Sequence, residues 1–468
     1  MMSRLLIVSN RLPVTVRVES GRLNVRPSAG GLATGLRGPH REHQGKWLGW
    51  PGMAARLSSS QRAELDGRLA EMGAVALYLT PGEVDRFYEE FANGVLWPLF
   101  HYLLDRVPLD QGGWDTYQKV NARFADLVAQ HYQPGDRIWI HDYQLALVPG
   151  LVRQRIPDAR IGFFLHIPFP AHEVFRILPW RQEILRGLLG ADVVGLHTRA
   201  YVRHFRDSVA ELLGGAASGP LMHEGRRVAV GAFPISVDTA AFAAASTSDE
   251  VLTGAAGIRA ANPGQLLVLG VDRLDYTKGI PRRLLAFERL LEREPSLRGR
   301  VRLLQVAVPS RTRVPAYEGF RRVVEELVGR INGAYGTPGW APIHYMFRSF
   351  PEREVTALYR AADVMVVTPL RDGLNLVAKE FVATRTDERG VLILSELAGS
   401  AAELKEALHV NPYDVEGTAQ AMRDALQMAP EEQSRRMRSL RAHVTEYDVH
   451  RWARDFLRAL AEPDSAAS

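Results

Sequence analysis

The sequence lacks cysteine, and only five of its 58 basic residues are lysine. Without cysteine the chain can form neither disulfides nor thiolate metal sites, which fits a reducing cytoplasm. No apolar run approaches the roughly 18 residues that a membrane span needs. The apolar run at residues 5–8 is too short for a signal peptide. The sequence therefore predicts a soluble, cytoplasmic protein.

Positive charge is spread along the chain rather than concentrated in one part of it. The 58 lysine and arginine residues exceed the 53 aspartate and glutamate residues only slightly. A nucleic-acid groove would require clustered basic residues, so we expect small-molecule substrates and no nucleic-acid or membrane partner. The length of 468 residues is more than one hydrophobic core usually serves and predicts two domains.

The usual nucleotide and metal motifs are also missing. The sequence contains no P-loop pattern G-x-x-x-x-G-K-[ST], and the glycines of the segment 28–35 have the wrong spacing for G-x-G-x-x-G. No Asp-x-Asp pair occurs that could hold Mg²⁺ or Mn²⁺ on a diphosphate. The adjacent pairs His141-Asp142 and His172-Glu173 do not point together like metal ligands. We therefore expect no metal and no other cofactor, so that protein cations must neutralise any bound diphosphate.

Short apolar runs alternate with longer segments of helical period, which is typical of parallel sheets with crossover helices. The predicted strands are residues 5–9, 74–79, 137–141, 161–166, 192–196, 265–271, 301–307, 343–347, 364–367 and 391–394. The main predicted helices are residues 83–104, 117–132, 173–189, 281–291, 317–331, 352–361 and 448–460. This pattern predicts an α/β protein with two facing, doubly wound Rossmann-like domains and an active site in the cleft between them.

The pattern of strands starts afresh after residues 232–236. The stretch 238–257, rich in alanine, serine and threonine, marks the predicted domain boundary. The predicted N-terminal domain spans residues 1–238, and the C-terminal domain spans residues 239–447. The helix 448–460 could pack back on either domain, and the tail 461–468 is predicted to be disordered.

The segment TPLRDGLNLVAKEF, residues 368–381, leaves a predicted strand and opens a predicted helix. The backbone N–H groups at such a helix start offer a seat for phosphate. The same segment carries two carboxylates, Asp372 and Glu380, which at first sight do not suit an anion site.

A second loop, VDRLDYTKG, supplies cations where another predicted strand ends. Arg273 and Lys278 could clamp a diphosphate, the arginine through two hydrogen bonds and the lysine as a point charge. They could equally form surface salt bridges with Asp272 and Asp275. The segment SRTR at 310–313 adds two arginines at the same sheet edge.

The first half of the chain offers an arginine with aromatic residues. Arg11 follows the first strand, Tyr88 and Trp97 lie on a segment of helical period, and Trp50 adds a further ring. Aromatic faces stack on sugars and a guanidinium pairs with phosphate, so this set suits a phosphorylated sugar. Aromatic residues at helical spacing can also belong to the core, and that alternative stays open here.

Two polar residues each follow an apolar strand in the same half of the chain. Asp142 ends the run WIHD, and His166 ends the run FFLH. Both therefore fall at carboxyl ends of strands, where ligands bind in doubly wound sheets. For His166 a purely structural role is an equal alternative.

Taken together, these motifs resemble one protein family. The segments NRLPV, SAGGL, FANGVLWPLFHY, WIHDYQL, FFLHIPFP, GVDRLDYTKGI, PSR, RINGAYG and TPLRDGLNLVAKE occur in the order found in the trehalose-6-phosphate synthases. The resemblance runs from about residue 3 to 460. It implies a GT-B glycosyltransferase that moves glucose from a nucleoside diphosphate glucose, UDP- or GDP-glucose, to glucose 6-phosphate. The implied product is α,α-trehalose 6-phosphate, formed with retention and without a metal.

The resemblance implies a donor site formed by Gly31, His166, Arg273, Lys278, Asp372, Gly373, Leu374, Asn375, Leu376, Val377 and Glu380. Arg273 and Lys278 would bind the diphosphate, and Glu380 would bind the ribose hydroxyls. Asp372 and His166 would contact the donor glucose. The residues with an implied catalytic role are Asp142, His166, Arg273, Lys278 and Asp372.

The implied acceptor site consists of Arg11, Trp50, Tyr88, Trp97, Asp142 and Arg311, which would hold glucose 6-phosphate. No residue is placed as an obvious covalent nucleophile, which favours a front-face route with retention. Some relatives carry an appended phosphatase domain with an Asp-x-Asp pair, which this sequence lacks. Relatives are often oligomeric, but the sequence leaves the oligomeric state open.

Three other functions compete with this interpretation. A related synthase could use glycerol 3-phosphate and form glucosylglycerol phosphate. A protein of the same fold could sense a nucleotide sugar without turnover, although Asp372, His166 and Arg311 argue against that. A GT-B phosphorylase would need a pyridoxal lysine, for which no separate candidate stands out. The identity of the donor base is also open, because backbone contacts often recognise it.

Overall fold

The computed structural model describes residues 4–19, 22–27, 35–36, 38, 40, 45–53, 57–108, 112–214, 218–310 and 315–462. The contacts between Cα atoms divide the chain into one unit of Met1–Pro234 with His450–Ser468 and a second unit of Ile235–Val449. The change of unit at 234/235 lies slightly before the predicted boundary at 238/239. Residues 463–468 of the predicted disordered tail lie outside the described residues.

The first unit contains strands β1 (Leu5–Arg11), β2 (Val14–Glu19), β3 (Arg22–Pro27), β4 (Lys46–Trp50), β5 (Ala74–Ala76), β6 (Arg137–His141), β7 (Arg160–Phe164), β8 (Val193–Leu196), β9 (Leu221–His223) and β10 (Arg226–Ala232). Strands β2 and β3 form an antiparallel hairpin of their own. The others form a sheet in the order β5-β4-β1-β6-β7-β8-β10-β9, in which β9 alone among the described strands is antiparallel to its neighbour.

The helices of the first unit are α1 (Ser59–Glu71), α2 (Pro81–Glu83), α3 (Trp97–Phe100), α4 (Trp114–His131), α5 (Val148–Arg155), α6 (His172–Phe175), α7 (Arg181–Leu188) and α8 (Arg199–Leu213). A π-helix, Val84–Leu96, joins α2 to α3. Short 3₁₀ turns lie at Leu104–Arg106 and Tyr143–Leu145. Most π-helical segments in proteins are single turns, frequently at functional sites, so this π-helix is unusually long.

The second unit contains strands β11 (Leu266–Arg273), β12 (Val301–Val308), β13 (Ile343–Met346), β14 (Val364–Val367), β15 (Val391–Ser395) and β16 (Leu408–Val410). They form a parallel sheet in the order β13-β12-β11-β14-β15-β16. Its helices are α9 (Thr239–Ser246), α10 (Asp249–Ala260), α11 (Ile280–Arg293), α12 (Pro315–Tyr335), α13 (Glu352–Ala361), α14 (Leu376–Thr384), α15 (Val415–Gln427) and α16 (Pro430–Glu446). Its 3₁₀ turns are Tyr276–Lys278, Pro295–Leu297 and Gly399–Ala402.

Both large sheets have the strand order of a Rossmann fold. Counted within each sheet along the chain, the first six strands lie in the order 3-2-1-4-5-6. The order reverses between β1 and β6 in the first sheet and between β11 and β14 in the second. Ligands of such sheets bind at the carboxyl ends of the strands beside this switch point. The predicted α/β class with two Rossmann-like domains is therefore confirmed.

The last helix of the chain, α17 (Val449–Ala461), packs against the sheet of the first unit. The ring of Phe456 stacks on Trp139 of β6 at a centroid distance of 4.6 Å. Gly162 and Gly195 make room for this helix, because a Cβ at either position would lie 2.7 Å from the ring of Phe456. Close helix-on-sheet packing thus depends on two glycines inside strands β7 and β8.

The helices of two segments add detail that the sequence pattern did not predict. The stretch 238–257, predicted to mark the domain boundary, forms α9 and most of α10, because alanine is the strongest helix former and Ser248 caps α10. The predicted helix 173–189 is two helices, α6 and α7, with Pro179 between them. Within the described residues, no helix combines the length and the apolar character that crossing a membrane requires.

Candidate active site

The switch point of the second sheet brings two predicted site residues together. Lys278 ends a 3₁₀ turn after β11, and Asp372 follows β14. The Nζ atom of Lys278 donates a hydrogen bond to Oδ2 of Asp372 at 2.6 Å, and the two side chains are only 12% and 14% exposed. An ammonium group has three N–H donors, so this contact orients Lys278 without using all of its hydrogen-bonding capacity.

Asn375 is a second partner of the Asp372 carboxylate. Its Nδ2 atom donates to Oδ2 of Asp372 at 3.0 Å, and its Oδ1 atom accepts from the N–H of Ala378 at 3.2 Å. Asn375 therefore caps the N-terminus of α14, and it does so with a positive φ of 82°. The first N–H groups of a helix lack partners within the helix, so those of Leu376 and Val377 belong to the part of α14 that suits an anion.

The loop before α14 packs closely against the segment that contains Gly399 and Ser400. The N–H of Gly399 donates to the carbonyl of Asp372 at 3.2 Å, and the N–H of Ser400 donates to the carbonyl of Leu374 at 2.9 Å. A Cβ atom on Gly399 would overlap the carbonyl oxygen of Gly373. This packing fixes the backbone on which Asp372 and Asn375 stand.

The loop that carries Lys278 is held by a backbone hydrogen bond and close backbone packing against the segment that follows β14. The N–H of Leu370 donates to the carbonyl of Thr277 at 2.7 Å. Gly279 has a φ of 67°, and a Cβ there would overlap the carbonyl oxygen of Thr368. Close backbone contact between these two loops sets the spacing between the Lys278 and Asp372 side chains.

A buried arginine forms hydrogen bonds beneath the loops that carry Lys278 and Asp372. Arg283 of α11 is fully buried and forms an ion pair with Asp272 of β11. It also donates to Oε1 of Gln305 and to Oγ1 of Thr368, each at 3.0 Å. Sequence reasoning missed this residue, although the spacing of three and four residues places position 283 on the same helix face as the buried Ile280 and Phe287.

The salt-bridge alternative for Lys278 is not what the structure shows. Lys278 pairs with Asp372, while Asp272 pairs with Arg283. Asp275 accepts hydrogen bonds from the N–H and hydroxyl of Thr277 at 3.0 and 2.9 Å and from the hydroxyl of Tyr317 at 3.1 Å. The buried carboxylates of this loop thus have structural partners, and Lys278 faces the loop of the 368–381 segment instead.

Three further residues were predicted to bind the donor, and the structure describes two of them, Arg273 and Glu380. Arg273 is the last residue of β11 and is exposed at the same sheet edge as Lys278. Gly31, like the predicted acceptor residue Arg311, lies outside the described residues. Glu380 lies on α14, beyond Asn375, and accepts a hydrogen bond from the hydroxyl of Tyr359 at 2.8 Å. Burial raises the pKa of Glu380 above its ordinary value, although the bond from Tyr359 acts in the opposite direction.

In the first unit, Arg11 and two aromatic residues form a cluster at the carboxyl ends of β1 and β4. Arg11 and Trp50 are neighbours in the strand register. The guanidinium carbon of Arg11 lies 5.0 Å from the centroid of the Trp50 ring, and the rings of Trp50 and Tyr88 form an edge contact with their centroids 6.0 Å apart. Gly52 has a φ of 85°, and a Cβ at this position would overlap the guanidinium of Arg11. The cluster therefore depends on a glycine that sequence reasoning did not single out.

Trp97 lies deeper than the other predicted acceptor residues. It is 5% exposed and contacts the rings of His101 and Tyr143 at 4.1 and 5.8 Å. The hydroxyl of Tyr143 donates to Oδ1 of Asn93 at 2.7 Å. These contacts place Trp97 beside Tyr143, the residue that follows Asp142, and the acceptor role of Trp97 stays a prediction.

Asp142 occupies the switch point of the first sheet in a strained conformation. It follows β6 with φ 76° and ψ 165°, a region that only glycine normally populates. Its Oδ1 atom accepts from the N–H of Tyr143 at 3.0 Å and from the N–H of His166 at 3.2 Å. Strained residues of this kind cluster at functional sites, which suits the site role predicted for Asp142.

His166 belongs to a group of three neighbouring histidines. Its Nε2 atom lies 3.1 Å from Nδ1 of His141, and its carbonyl oxygen lies 3.3 Å from Nε2 of His197. Burial lowers the pKa of His166 well below its ordinary value, and the two neighbouring histidines lower it further. His166 is therefore neutral near pH 7. Among the described residues, no group of three or more His, Cys, Asp or Glu side chains could hold a metal ion.

Comparisons with known proteins agree with this architecture. The sequence profile of glycosyltransferase family 20 matches residues 3–462. The bifunctional trehalose-6-phosphate synthase/phosphatase of Thermoproteus tenax is 46% identical over an alignment that covers 99% of this chain and 64% of that protein. The chain thus spans slightly less than two thirds of the length of this relative.

Two solved structures are similar over almost their whole length. One is a trehalose-6-phosphate protein from E. coli bound with UDP-2-fluoro glucose, with a TM-score of 0.89, 36% identity, and coverage of 98% of this chain and 99% of that one. The other is an α,α-trehalose-phosphate synthase (UDP-forming) from Burkholderia xenovorans in complex with glucose-6-phosphate, with a TM-score of 0.87, 36% identity, and coverage of 98% and 100%. The resemblance read from the motifs is therefore confirmed, and the chain belongs to glycosyltransferase family 20.

Proposed function

We propose that the chain is a metal-independent retaining glucosyltransferase. It moves glucose from UDP-glucose or GDP-glucose to glucose 6-phosphate and forms α,α-trehalose 6-phosphate. The observation that carries this proposal is the contact of Lys278 with Asp372 beside the start of α14. A cation, a carboxylate and helix N–H groups at one Rossmann switch point suit the diphosphate and the sugar of one nucleotide sugar. The similar structures with UDP-2-fluoro glucose and with glucose-6-phosphate support the substrate pair.

The two carboxylates of the 368–381 segment have separate tasks in this proposal. Asp372 precedes the helix start and accepts hydrogen bonds from hydroxyls of the donor glucose while it orients Lys278. Glu380 lies on α14 beyond the N–H groups of Leu376 and Val377, and it accepts from the ribose hydroxyls. The diphosphate then lies between the two acids, against Lys278, Arg273 and the helix start. Negative side chains beside an anion site thus bind the neutral parts of the donor.

The acceptor is held by the cluster of the first unit. Arg11 pairs with the phosphate of glucose 6-phosphate, while the rings of Trp50 and Tyr88 border the sugar. Asp142, whose carboxylate is fixed by two backbone N–H groups, accepts from a sugar hydroxyl. Arg311 adds a second cation for the phosphate in this proposal.

The reaction follows a front-face route. The bond between C1 of the donor glucose and the diphosphate oxygen breaks, and a new bond forms on the same face of C1 to the 1-hydroxyl oxygen of glucose 6-phosphate. The proton of that hydroxyl passes to the leaving phosphate oxygen. Arg273 and Lys278 stabilise the negative charge that develops on the diphosphate, which is electrostatic catalysis by pre-positioned groups.

One set of assays tests the proposed function. UDP-, GDP- and ADP-glucose are each combined with glucose 6-phosphate and with glycerol 3-phosphate, in the presence and absence of EDTA. We expect trehalose 6-phosphate from glucose 6-phosphate with at least one donor, undiminished by EDTA and with the α,α configuration by NMR. Product from glycerol 3-phosphate alone would contradict the acceptor, loss of activity in EDTA would contradict metal independence, and no turnover with any donor would favour a sensor.

The affinity for UDP is expected to fall as the pH falls through the raised pKa of Glu380. The carboxylate accepts from both ribose hydroxyls only when it is charged, so binding is strongest above that pKa and weakens below it. Tyr359→Phe removes a hydrogen bond that favours the charged form, and the midpoint of the binding profile should move to higher pH. Isothermal titration with UDP from pH 5 upward measures this shift.

The matched control for this prediction is Glu380→Gln. Its remaining pH dependence belongs to UDP and to other groups, because the amide does not titrate. If the wild-type protein and Glu380→Gln give the same pH profile, Glu380 does not bind the ribose as a carboxylate.

A further inference from the structure

The ring of His166 has a buried neighbour for which the proposed mechanism has no use. His141 ends β6, is 0% exposed, and places its Nδ1 atom 3.1 Å from Nε2 of His166. The rings of the two histidines lie face to face at a centroid distance of 5.3 Å. Since one hydrogen bond joins two ring nitrogens, one of them carries the proton and the other accepts it.

Both rings are neutral near pH 7. Burial lowers the pKa of His141 to about 3, and burial with the neighbouring histidines lowers that of His166 well below its ordinary value. A neutral imidazole has one N–H and one bare nitrogen. Two arrangements are therefore possible. Either His141 donates from Nδ1 and has a bare Nε2, or His166 donates from Nε2 and His141 carries its own proton on Nε2.

The surroundings of Nε2 of His141 decide between the two arrangements. This atom is buried and has no hydrogen-bond partner among the described residues. The other rings in contact with His141 are Trp139 and Phe164, at 4.8 and 6.5 Å. Phenylalanine offers no acceptor, and an indole N–H can only donate. The indole nitrogen of Trp139 is itself buried without a partner in the described part of the chain.

A proton on Nε2 of His141 would thus create a second buried donor without an acceptor beside that of Trp139. Buried N–H groups without a partner are rare in proteins. A bare Nε2 avoids this second orphaned donor. The proton of His141 then lies on Nδ1, and the hydrogen bond runs from His141 to Nε2 of His166.

We propose that His141 is a positioning residue that holds His166 in the tautomer with its proton on Nδ1. His166 then presents an N–H donor, rather than a bare nitrogen, to an oxygen atom of the bound donor sugar. The part of this inference that concerns the sugar rests on the proposed function, with the donor-glucose contact that the family resemblance implies for His166, whereas the tautomer is a property of the chain alone. A neutral donor suits a sugar hydroxyl, because it adds no charge beside the sugar carbon that becomes positive during transfer.

The tautomer can be measured directly in the full-length protein labelled with ¹⁵N-histidine. A protonated ring nitrogen and a bare one have widely separated ¹⁵N chemical shifts, and the His166 signals are identified by their loss in His166→Asn. We expect His166 to be protonated on Nδ1 and His141 on Nδ1 as well. A His166 signal with the proton on Nε2 overturns the proposal, whatever the activity of the protein. This measurement needs no substrate, so it stands even if the assays contradict the proposed function.

Two variants of His141 test its effect on turnover. His141→Phe fills the site but cannot donate, so neither tautomer of His166 is favoured by a partner at Nε2. We expect a mixture of the two tautomers in the spectrum and a fall of kcat/KM by about tenfold, as for a lost hydrogen bond. His141→Asn keeps an amide N–H close to the position of Nδ1 and should restore the Nδ1–H tautomer and most of the activity. UDP affinity should be unchanged in both variants.

The matched control is His197→Asn. His197 is also buried beside His166 but contacts its backbone carbonyl rather than its ring, so the tautomer should stay on Nδ1. If His141→Phe leaves the tautomer unchanged, or if His197→Asn shifts it as much, His141 does not set the tautomer. Should His141→Phe fail to fold, the wild-type spectrum and His141→Asn still decide the proposal.

Discussion

Replacement of Lys278 by alanine is expected to lower kcat at saturating substrates by about 100- to 1000-fold, the usual cost of removing one pre-positioned charge-stabilising donor. The proposed leaving group is a diphosphate, and the Lys278 ammonium is held 2.6 Å from Asp372 before any substrate binds. Its loss removes positive charge from the transition state and leaves the Asp372 carboxylate without its cation. Both effects raise the barrier to bond breaking. Arg273→Ala should have an effect of at least 100-fold for the first of these reasons.

The control for Lys278→Ala is Lys405→Ala, because Lys405 lies in the same unit and is exposed, with its Nζ atom 3.3 Å from the carbonyl of Ala401. This variant should keep wild-type kcat and KM. Lys278→Arg retains the charge but not the compact shape of the ammonium, and we expect an intermediate kcat. Near-normal kcat in both Lys278→Ala and Arg273→Ala would show that these two residues do not stabilise the leaving diphosphate.

Gly52→Ala is expected to raise KM for glucose 6-phosphate by about 10- to 100-fold, close to the effect of Arg11→Ala. A charge-assisted hydrogen bond contributes about 1.5–3 kcal/mol, and the new Cβ would occupy the space of the Arg11 guanidinium. The arginine must therefore leave the face of Trp50, where its guanidinium carbon now lies 5.0 Å from the ring centroid. The affinity for UDP should be unchanged, because UDP is the donor-side ligand. Initial rates at varied glucose 6-phosphate and UDP titrations measure the two quantities separately.

Gly135→Ala is the matched control for Gly52→Ala. Gly135 also lies in the first unit with a positive φ, 92°, but a Cβ there would have no heavy atom within 4 Å. Both variants carry the same kind of backbone strain, and only Gly52→Ala displaces Arg11. The double variant Arg11→Ala/Gly52→Ala should be no worse than Arg11→Ala, because neighbouring residues that act through one group are not additive. An equal rise of KM in Gly135→Ala would mean that strain alone explains the effect.

Much of the fold could be predicted because its strands are buried on both faces and so appear as continuous apolar runs. The predicted strands 137–141 and 364–367 match β6 and β14 residue for residue. Strand β10 was missed, since two arginines begin it and its burial is mixed. The hairpin of β2 and β3 was missed as well, although valine alternates with polar residues along β2, a pattern typical of a strand with one exposed face.

The candidate site could be predicted only as separate pieces. The positions of Lys278 and Asp372 at strand ends followed from the order of apolar runs, but their contact joins residues 94 positions apart. Only the strand order β11-β14, which apolar patterns do not encode, makes them neighbours. The roles of Arg283 and Gly52 in positioning the site were missed for a related reason. What a buried arginine bonds to, and which side chain packs against a glycine, can be known only from their neighbours in the fold.

Asp142 and Asn375 both lie in the connection that follows the fourth strand of their Rossmann sheets, Asp142 directly after the strand and Asn375 at the start of the next helix, and each has a positive φ. Such backbone strain typically costs about 1–3 kcal/mol per residue in a side-chain-bearing amino acid, whereas glycine adopts these angles readily. Glycine at 142 or at 375 would relieve this strain, but it would also remove the hydrogen bonds of Asp142 with two backbone N–H groups and the cap that Asn375 gives to α14, together with the proposed activity. A screen for more heat-resistant variants of this chain therefore needs a test of turnover in every round, because selection for stability alone does not preserve the residues at these two positions.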